Sequence, residues 1–236
     1  MNKEVLMKLV DVSRTYIMGE VEVKALLPTS FEIYSGELLC ILGPSGSGKS
    51  TLLNILGGMD QPTSGDVLFM GKNLSQATEA QMTSYRRKQV GFVFQFYNLI
   101  PDLTARENVD LAASLVDNPH STTEVMREVG LEERMDHFPT QLSGGEQQRT
   151  SIARALIKNP RLILCDEPTG ALDFETGKMV LSLLARVNRE HQSTLIMVTH
   201  NTPLSAMADR VIRMRSGRIA EVIVNENPVP PERIEW

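Results

Sequence analysis

Cysteine and tryptophan are scarce in this 236-residue sequence, which has two cysteines and one tryptophan, and aromatic residues make up only 5% of it. Two cysteines cannot build the disulfide framework of a small secreted domain. Cys40 and Cys165 show no metal-ligand spacing and lie in apolar, strand-like runs, so we expect small core residues in a reducing compartment. His120, His137 and His191 have no partner pattern and are interpreted as surface or loop residues.

Long hydrophobic runs are also missing. No apolar run approaches the roughly 18 residues that a membrane-spanning helix needs, and residues 38–42 suit only a buried strand. Residues 1–5 show no signal-peptide pattern, so we expect a cytoplasmic chain. Positive charge is in deficit, because 24 Lys and Arg stand against 29 Asp and Glu, which gives a net charge of −5. We therefore expect no nucleic-acid partner, and we interpret the basic run at 86–88 as solvated surface.

The chain changes character twice along its length. Up to about residue 95 the sequence pattern indicates strands and turns. It predicts a helix at 51–56 and strands at 6–12, 25–34 (interrupted by Pro28), 38–42, 66–70 and 90–94. From 106 to about 158 the apolar residues recur at helical spacing. Strand-like runs return at 162–165, 195–199, 211–214 and 218–224, and the proline-rich residues 227–231 are expected to lie extended on the surface. The pattern predicts an α/β core with a mostly helical insertion.

A phosphate-binding motif follows the third predicted strand. Residues Gly43–Ser50 match the pattern G-x-x-x-x-G-K-S directly before a helix, the context in which such a loop cradles phosphates. Its glycines let backbone N–H groups turn inward. Lys49 can neutralise the β- and γ-phosphates, Ser50 can offer a hydroxyl to Mg²⁺, and Thr51 continues the helix N-terminus.

Two carboxylates end a later strand. Asp166 closes the apolar run that begins at Leu162 and can hold Mg²⁺ directly or through water, whereas Glu167 points elsewhere and can polarise an attacking water. On its own this pair could be a polar turn, but together with the phosphate loop it predicts a nucleoside triphosphate site.

A second anion site is predicted at Ser143-Gly144-Gly145. These residues stand before a predicted helix, where a hydroxyl, unpaired N–H groups and the positive helix end suit an anion. Because one chain already has a complete phosphate loop, we hypothesise that this site serves the nucleotide of another copy of the protein. The same residues are also expected to cap the helix.

The sequence resembles the ATP-binding subunits of ABC transporters from about Leu6 to Ala220. Several separated motifs occur in the order of that family: Walker A at Gly43–Ser50, the Q-loop at Gln95, the signature at Leu142–Arg149, Walker B at Leu162–Asp166 with Glu167, the D-loop at Ala171–Asp173 and the switch histidine at His200. Tyr16 falls where the family places an aromatic ring under adenine. Gly170, where serine is common, and Cys165 depart from the usual pattern without removing a catalytic group.

The resemblance implies a P-loop ATPase with a RecA-like mixed-sheet core, an N-terminal antiparallel β subdomain and an inserted α-helical subdomain. The whole chain, 1–236, would be one domain. Residues 1–95 and 160–224 would form the catalytic core, about 96–159 the helical subdomain with the signature, and 225–236 a C-terminal tail.

The resemblance also implies roles for individual residues, with ATP and Mg²⁺ as the bound groups. Catalysis would rest on Glu167, His200, Gln95 and Lys49, and the metal would be held by Ser50, Gln95 and Asp166. The nucleotide would contact Tyr16, Gly43, Pro44, Ser45, Gly46, Ser47, Gly48, Lys49, Ser50, Thr51, Gln95 and His200, and across a dimer interface Ser143, Gly144, Gly145, Glu146 and Asp173.

Residues 94–101 and 103–109 resemble the macrolide-exporter and lipoprotein-release branch. This implies a subunit that energises an exporter or a lipoprotein- or peptide-mobilising system by ATP-driven homodimerisation, bound at the inner face of the cell membrane to a permease on a separate chain. Phe96, Tyr97, Leu99 and Ile100 would either line a groove for that partner or belong to the core of the helical subdomain. Two alternatives stay open, a signalling complex of the cell-division type and a soluble, non-transport ATPase.

Overall fold

The computed structural model describes residues 4–235 and contains two β-sheets. A four-stranded antiparallel sheet has the order β2-β1-β4-β5, and a six-stranded sheet has the order β10-β9-β3-β8-β7-β6. The strands are β1 (Val5–Met18), β2 (Val21–Tyr34), β3 (Leu38–Leu42), β4 (Ser64–Phe69), β5 (Lys72–Asn73), β6 (Val90–Val93), β7 (Leu162–Asp166), β8 (Thr194–Thr199), β9 (Arg210–Arg215) and β10 (Arg218–Val224).

Strands β1 and β2 are longer than the sequence predicts. The residues at their ends mix polar and apolar types with little alternation, so the sequence pattern does not identify these ends as strand. Each has 14 residues, and they meet at a turn around Gly19. Pro28 does not end β2, but the register with β1 shifts beside it, between the pairs Val12–Thr29 and Arg14–Leu26. A proline has no N–H to donate to the ladder, so an irregular stretch accommodates it.

The six-stranded sheet is parallel except for its edge strand β10, which pairs antiparallel with β9. The four strands β3, β8, β7 and β6 lie side by side in that order, so their carboxyl ends meet at one edge of the sheet. They are short and almost entirely buried, as expected for parallel strands covered on both faces.

Six α-helices occur among residues 4–235: α1 (Lys49–Leu56), α2 (Glu79–Gln89), α3 (Ala105–Ala113), α4 (Thr122–Glu128), α5 (Gly144–Leu156) and α6 (Phe174–His191). The segment predicted to be helical contains α3, α4 and α5, joined by irregular chain and short 3-10 turns. Helices α2 and α6 were absent from the sequence prediction. No helix in the described part of the chain has the length and apolar character needed to cross a bilayer.

The parallel sheet separates two apolar clusters. Cys40 faces the cluster formed with α3–α6, whereas its neighbours Leu39 and Ile41 face the cluster formed with α1, α2 and the antiparallel sheet. Cys40 and Cys165 are completely buried, as predicted, and burial raises the pKa of Cys40 to about 12. These observations confirm the predicted α/β fold with an antiparallel β subdomain and a helical insertion.

Two smaller expectations differ from the structure. The C-terminal tail does not simply lie extended on the surface, because a 3-10 turn at Pro231–Arg233 places Ile234 in the core beside α6. His191 ends α6 and has a partner, since its Nε2 lies 2.9 Å from Glu128 Oε1.

Candidate nucleotide-binding site

The predicted phosphate, metal and catalytic residues meet where the parallel strands end. The loop after β3 carries the Walker A motif, Gln95 follows β6, Asp166 ends β7 and His200 follows β8. They surround a cleft of about 580 Å³ lined by Val23, Lys24, Ala25, Ser45, Gly46, Gly48, Lys49, Ser50, Thr51, Gln95, Asp166, Glu167 and His200. Ligands of open α/β sheets characteristically bind at this edge.

The Walker A loop is wrapped around its own lysine. Lys49 is only 7% exposed, and its Nζ donates to Gly43 O at 2.8 Å and to Pro44 O at 3.0 Å. A phosphate oxygen can replace either carbonyl as an acceptor, with a stronger charge-assisted bond. The Ser47 hydroxyl is also buried here and has no hydrogen-bond partner within residues 4–235, so it offers a further donor.

Two glycines of the loop are required by close backbone approach. Gly48 has a φ of +98°, and a Cβ there would lie 2.5 Å from Ala25 O of β2. A Cβ at Gly43 would lie 2.5 Å from Met214 O of β9. The loop is therefore held between the two sheets, and its backbone amides are fixed before any ligand arrives.

Asp166 and Ser50 provide oxygen ligands of the kind that Mg²⁺ prefers. The half-buried Asp166 carboxyl accepts a hydrogen bond from Ser50, and its pKa is raised by burial and by the Glu167 charge while Lys49 and that hydrogen bond oppose the rise. No cluster of three or more His, Cys, Asp or Glu residues suited to a metal occurs in residues 4–235. The site therefore fits a Mg²⁺ held by one carboxylate, a hydroxyl and substrate phosphates, not a closed protein cage.

Glu167 is held in an unusual backbone conformation beside the switch histidine. Its φ is +47°, in the left-handed region, and its N–H donates to Val198 O at 3.0 Å. Carboxylate Oε1 accepts from His200 N at 3.0 Å and lies 2.7 Å from His200 Nδ1, while Oε2 accepts from the Thr199 hydroxyl at 3.1 Å. These contacts fix a carboxylate beside an exposed imidazole at the mouth of the cleft, where a carboxylate can act as a general base.

Gln95 lies between the cleft and the turn that follows Walker B. A Cβ at Gly170 would lie 2.7 Å from Gln95 Nε2, so the glycine at this position leaves space for the glutamine side chain. Gly170 N in turn donates to Glu167 O at 3.0 Å. The departure from serine noted in the sequence thus falls at the contact between Gln95 and the Walker B turn.

Tyr16 does not line the cleft. Its hydroxyl donates to Asp60 Oδ2 at 2.7 Å, and the Arg14 guanidinium lies 4.6 Å from the centroid of its ring. Tyr16 pairs across the ladder with Val23, which does line the cleft, so the adenine contact stays a prediction.

The cleft also contains residues that the sequence did not single out, namely Val23, Lys24 and Ala25 of β2. They carry no motif, and Ala25 contributes a backbone carbonyl. The one sequence signal for this contact is Gly48, since a side chain at that position would clash with the Ala25 carbonyl.

The signature residues cap α5, as predicted, but lie outside this cleft. Ser143 Oγ accepts from Glu146 N at 3.3 Å, and Glu146 Oε2 accepts from Ser143 N at 2.8 Å. The backbone hydrogen bond from Ser143 holds the pKa of Glu146 below its usual value. Gly144 and Gly145 complete this end of the helix, and none of the four residues lines the cleft of the same chain.

The D-loop carboxylate is likewise outside the cleft. Asp173 is exposed and caps α6 by accepting from Thr176 N at 3.0 Å, and its contacts with Thr176 lower its pKa. Neither of these two helix N-termini contributes a residue to the lining of the cleft in its own chain.

A glycine-rich loop between a buried strand and a helix, with a carboxylate at the end of another parallel strand of the same sheet, defines a P-loop nucleoside triphosphatase. The family model for ABC transporters matches residues 26–170. An uncharacterized ABC transporter ATP-binding protein of Thermotoga maritima is 48% identical over 91% of this chain and 93% of its own length. The macrolide export ATP-binding/permease protein MacB of Wolinella succinogenes is 44% identical over 94% of this chain, which spans only 36% of that protein.

Solved structures agree with this relationship. The ATP-binding cassette MJ0796, in a dimeric post-hydrolysis state bound to ADP and Pi, is 40% identical and superimposes with a TM-score of 0.86 over 94% of this chain and 99% of its own. CbiO1 of Clostridium perfringens, part of the transporter complex CbiONQ, is 27% identical with a TM-score of 0.83, over 94% and 89% of the two chains. The chain belongs to the ABC transporter family. It is an ATP-binding subunit of a transporter and an ATP hydrolase.

Proposed function

We propose that this protein energises an exporter, or a system that mobilises lipoproteins or peptides, by forming an ATP-dependent homodimer. One observation carries the proposal: the signature residues, Ser143–Glu146, do not line the cleft that the phosphate loop forms in the same chain. In a head-to-tail dimer, each signature helix would cover the γ-phosphate held by the other chain's Lys49. The similarity to a cassette solved as a dimer with ADP and Pi supports this arrangement.

Within one composite site, the loop 43–51 would bind the phosphates, with Lys49 exchanging its carbonyl partners for phosphate oxygens. Asp166, Ser50 and Gln95 would hold Mg²⁺, which when bound neutralises charge on the phosphates. Tyr16 would stack on adenine. Asp173 and Ser143–Glu146 of the second chain would complete the enclosure, since helix N-termini favour phosphate.

Hydrolysis would depend on Glu167 as the group that accepts a proton from the attacking water. His200 shares Oε1 of this carboxylate and is 65% exposed toward the cleft, so it can also reach the γ-phosphate. Loss of the γ-phosphate would remove the group that both chains hold in common. The closed dimer would then open, because a ligand shifts an equilibrium only through its difference in affinity for the two states.

The segment after Gln95 would contact the membrane subunit. Phe96 is 73% exposed and Ile100 is 40% exposed, whereas Tyr97 and Leu99 are partly covered. Exposure of two large apolar side chains favours a docking groove over the core of the helical subdomain. The name of MacB combines ATP-binding and permease functions, which supports an integral membrane permease as the partner of this chain.

A pull-down from detergent-solubilised membranes tests the membrane assignment. The tagged chain should co-purify an integral membrane protein, and Phe96→Asp should abolish this capture because a charge would have to enter an apolar interface. Met179→Asp is a matched control, since Met179 is a 57% exposed apolar residue on α6, outside the segment 96–100. Capture of ribosomes or of no membrane protein would contradict a membrane role. ATP-dependent transport in vesicles would separate export from a signalling complex.

A further inference from the structure

The chain turns sharply after Gln95. Tyr97 has a φ of +60° and Asn98 a φ of +49°, both in the left-handed region that non-glycine residues seldom occupy. Asn98 N donates to Phe96 O at 2.6 Å, which closes the turn. Consecutive residues in this conformation persist only where surrounding groups hold them.

Arg154, in the last turns of α5, supplies that support. Its Nη2 donates to Tyr97 O at 2.8 Å, and its Nη1 donates to Asn98 O. No carboxylate lies within ion-pair distance of Arg154 among residues 4–235, and burial lowers its pKa. The planar guanidinium thus donates from two of its nitrogens to two consecutive carbonyls of the turn, a geometry that lysine cannot reproduce.

The other end of α5 touches the same turn. A Cβ at Gly144 would lie 2.8 Å from the Tyr97 hydroxyl oxygen, so the tyrosine ring reaches the N-terminus of α5. Arg154, in the C-terminal part of the same helix, holds the backbone carbonyl of Tyr97. Tyr97 therefore lies along α5 and contacts the residue next to the cap, Ser143. Burial raises the pKa of Tyr97, in keeping with a ring packed against the helix.

The base of β6 is fastened to the same helix. Lys158 Nζ donates to Val90 O at 2.6 Å, and a Cβ at Gly91 would lie 3.0 Å from Ala155 Cβ. Lys158, just after the end of α5, thus contacts β6 at its start, and Arg154 of α5 contacts the chain beyond the end of β6. Gln95 lies between the two attachment points.

We infer that Arg154 is a positioning residue that makes the turn 96–98 move with the signature helix. Through this contact, the position of Gln95 in the nucleotide site depends on the orientation of α5. The N-terminus of α5, at Ser143, is the part that would face the nucleotide of the other chain. The inference rests on the proposed function, since it assumes that Gln95 serves the nucleotide and Ser143 serves the partner chain. It adds a physical connection between the two within one subunit.

A nitroxide label at position 96 tests this connection directly. Phe96→Cys provides a single reactive thiol, because Cys40 and Cys165 are both 0% exposed. Arg154→Met should shorten the rotational correlation time of the label at least about twofold, since the turn loses both guanidinium bonds. Arg149→Met is the matched control, because Arg149 also lies on α5 and donates to a carbonyl, Val129 O at 3.4 Å, but not to the turn.

The same variants without the label separate positioning from general destabilisation. Arg154→Met should lower kcat for ATP about tenfold while KM changes less than about twofold, because Lys49 still binds the phosphates. Arg154→Lys should recover part of the loss, and it is the variant to measure if Arg154→Met does not fold. Unchanged label mobility in Arg154→Met, or an equal change in Arg149→Met, would overturn the inference.

Failure of the proposed function gives a different result. If Gln95→Glu left kcat unchanged, Gln95 would have no part in hydrolysis, whatever the mobility of the label. If Gln95→Glu lowered kcat while Arg154→Met left both kcat and mobility unchanged, the role of Gln95 would stand and the connection through Arg154 would be refuted.

Discussion

Replacing Glu167 with glutamine is expected to preserve ATP binding and nearly abolish turnover. The side chain is 17% exposed and its oxygens accept from His200 N, at 3.0 Å, and from the Thr199 hydroxyl, at 3.1 Å. A glutamine of the same shape can keep its Oε1 as the acceptor for His200 N and turn its amide N–H toward the Thr199 oxygen. The fold and the phosphate loop should therefore be retained.

The size of the effect follows from the chemistry that is lost. An amide cannot take a proton from water, and a positioned general base typically contributes roughly 100- to 10,000-fold to a rate. At about 1.36 kcal/mol per factor of ten, the barrier should rise by about 3 to 5 kcal/mol. The dissociation constant for ATP should change less than about twofold, because Lys49 and the loop amides are untouched.

The assay is phosphate release at saturating Mg²⁺-ATP, together with equilibrium binding of ATP and size-exclusion chromatography. The variant should bind ATP, release phosphate at the reduced rate and elute as a dimer only with ATP. Glu128→Gln is the matched control, since Glu128 is also paired with a histidine, at 2.9 Å from His191, but lies outside the cleft. A Glu167→Gln rate within about twofold of the native rate would refute the assignment of Glu167 as the base.

Two further predictions concern buried groups. Burial, reinforced by the Arg154 charge, lowers the pKa of Lys158 to about 8, so between pH 8 and 10 the unfolded chain binds more protons and stability rises with pH. Urea unfolding should show the native protein gaining about 2 kcal/mol relative to Lys158→Met from pH 7 to pH 10, and a constant difference would contradict this. Burial raises the pKa of the Cys40 thiol to about 12 and also raises the pKa of the Cys165 thiol. A maleimide at pH 8 should therefore leave the folded protein unmodified and add to both thiols after unfolding. Rapid labelling of the folded protein would contradict the burial of these two cysteines.

The central strands and the phosphate loop could be predicted from local sequence. Parallel strands buried on both faces form continuous apolar runs, and the run at Leu38–Leu42 followed by glycines and Lys49 has few alternative structures. Helix α6 was also within reach, because Val180, Leu184 and Val187 recur at helical spacing. Helix α2 buries only Met82 and Tyr85 and offered little more than its capping box, so periodicity could not find it.

The remaining parts of the site depend on contacts between distant segments. Gln95, Asp166 and His200 are neighbours because β6, β7 and β8 are adjacent, and this strand order is not visible in the local pattern. Family resemblance supplied their grouping. The approach of Ala25 to Gly48 and the attachment of Arg154 to Tyr97 use backbone carbonyls, which every residue has, so no side-chain pattern announces them.

The claim that two chains build each ATP site is tested most directly by mixing two inactive variants. Ser143→Arg blocks the signature surface and Lys49→Ala disables the phosphate loop, so a mixed dimer contains one site with both halves intact and one with both defects. We predict ATPase activity in the mixture well above that of either variant alone. No recovery, with mixed dimers demonstrated by mass spectrometry of differently tagged chains, would contradict the composite site.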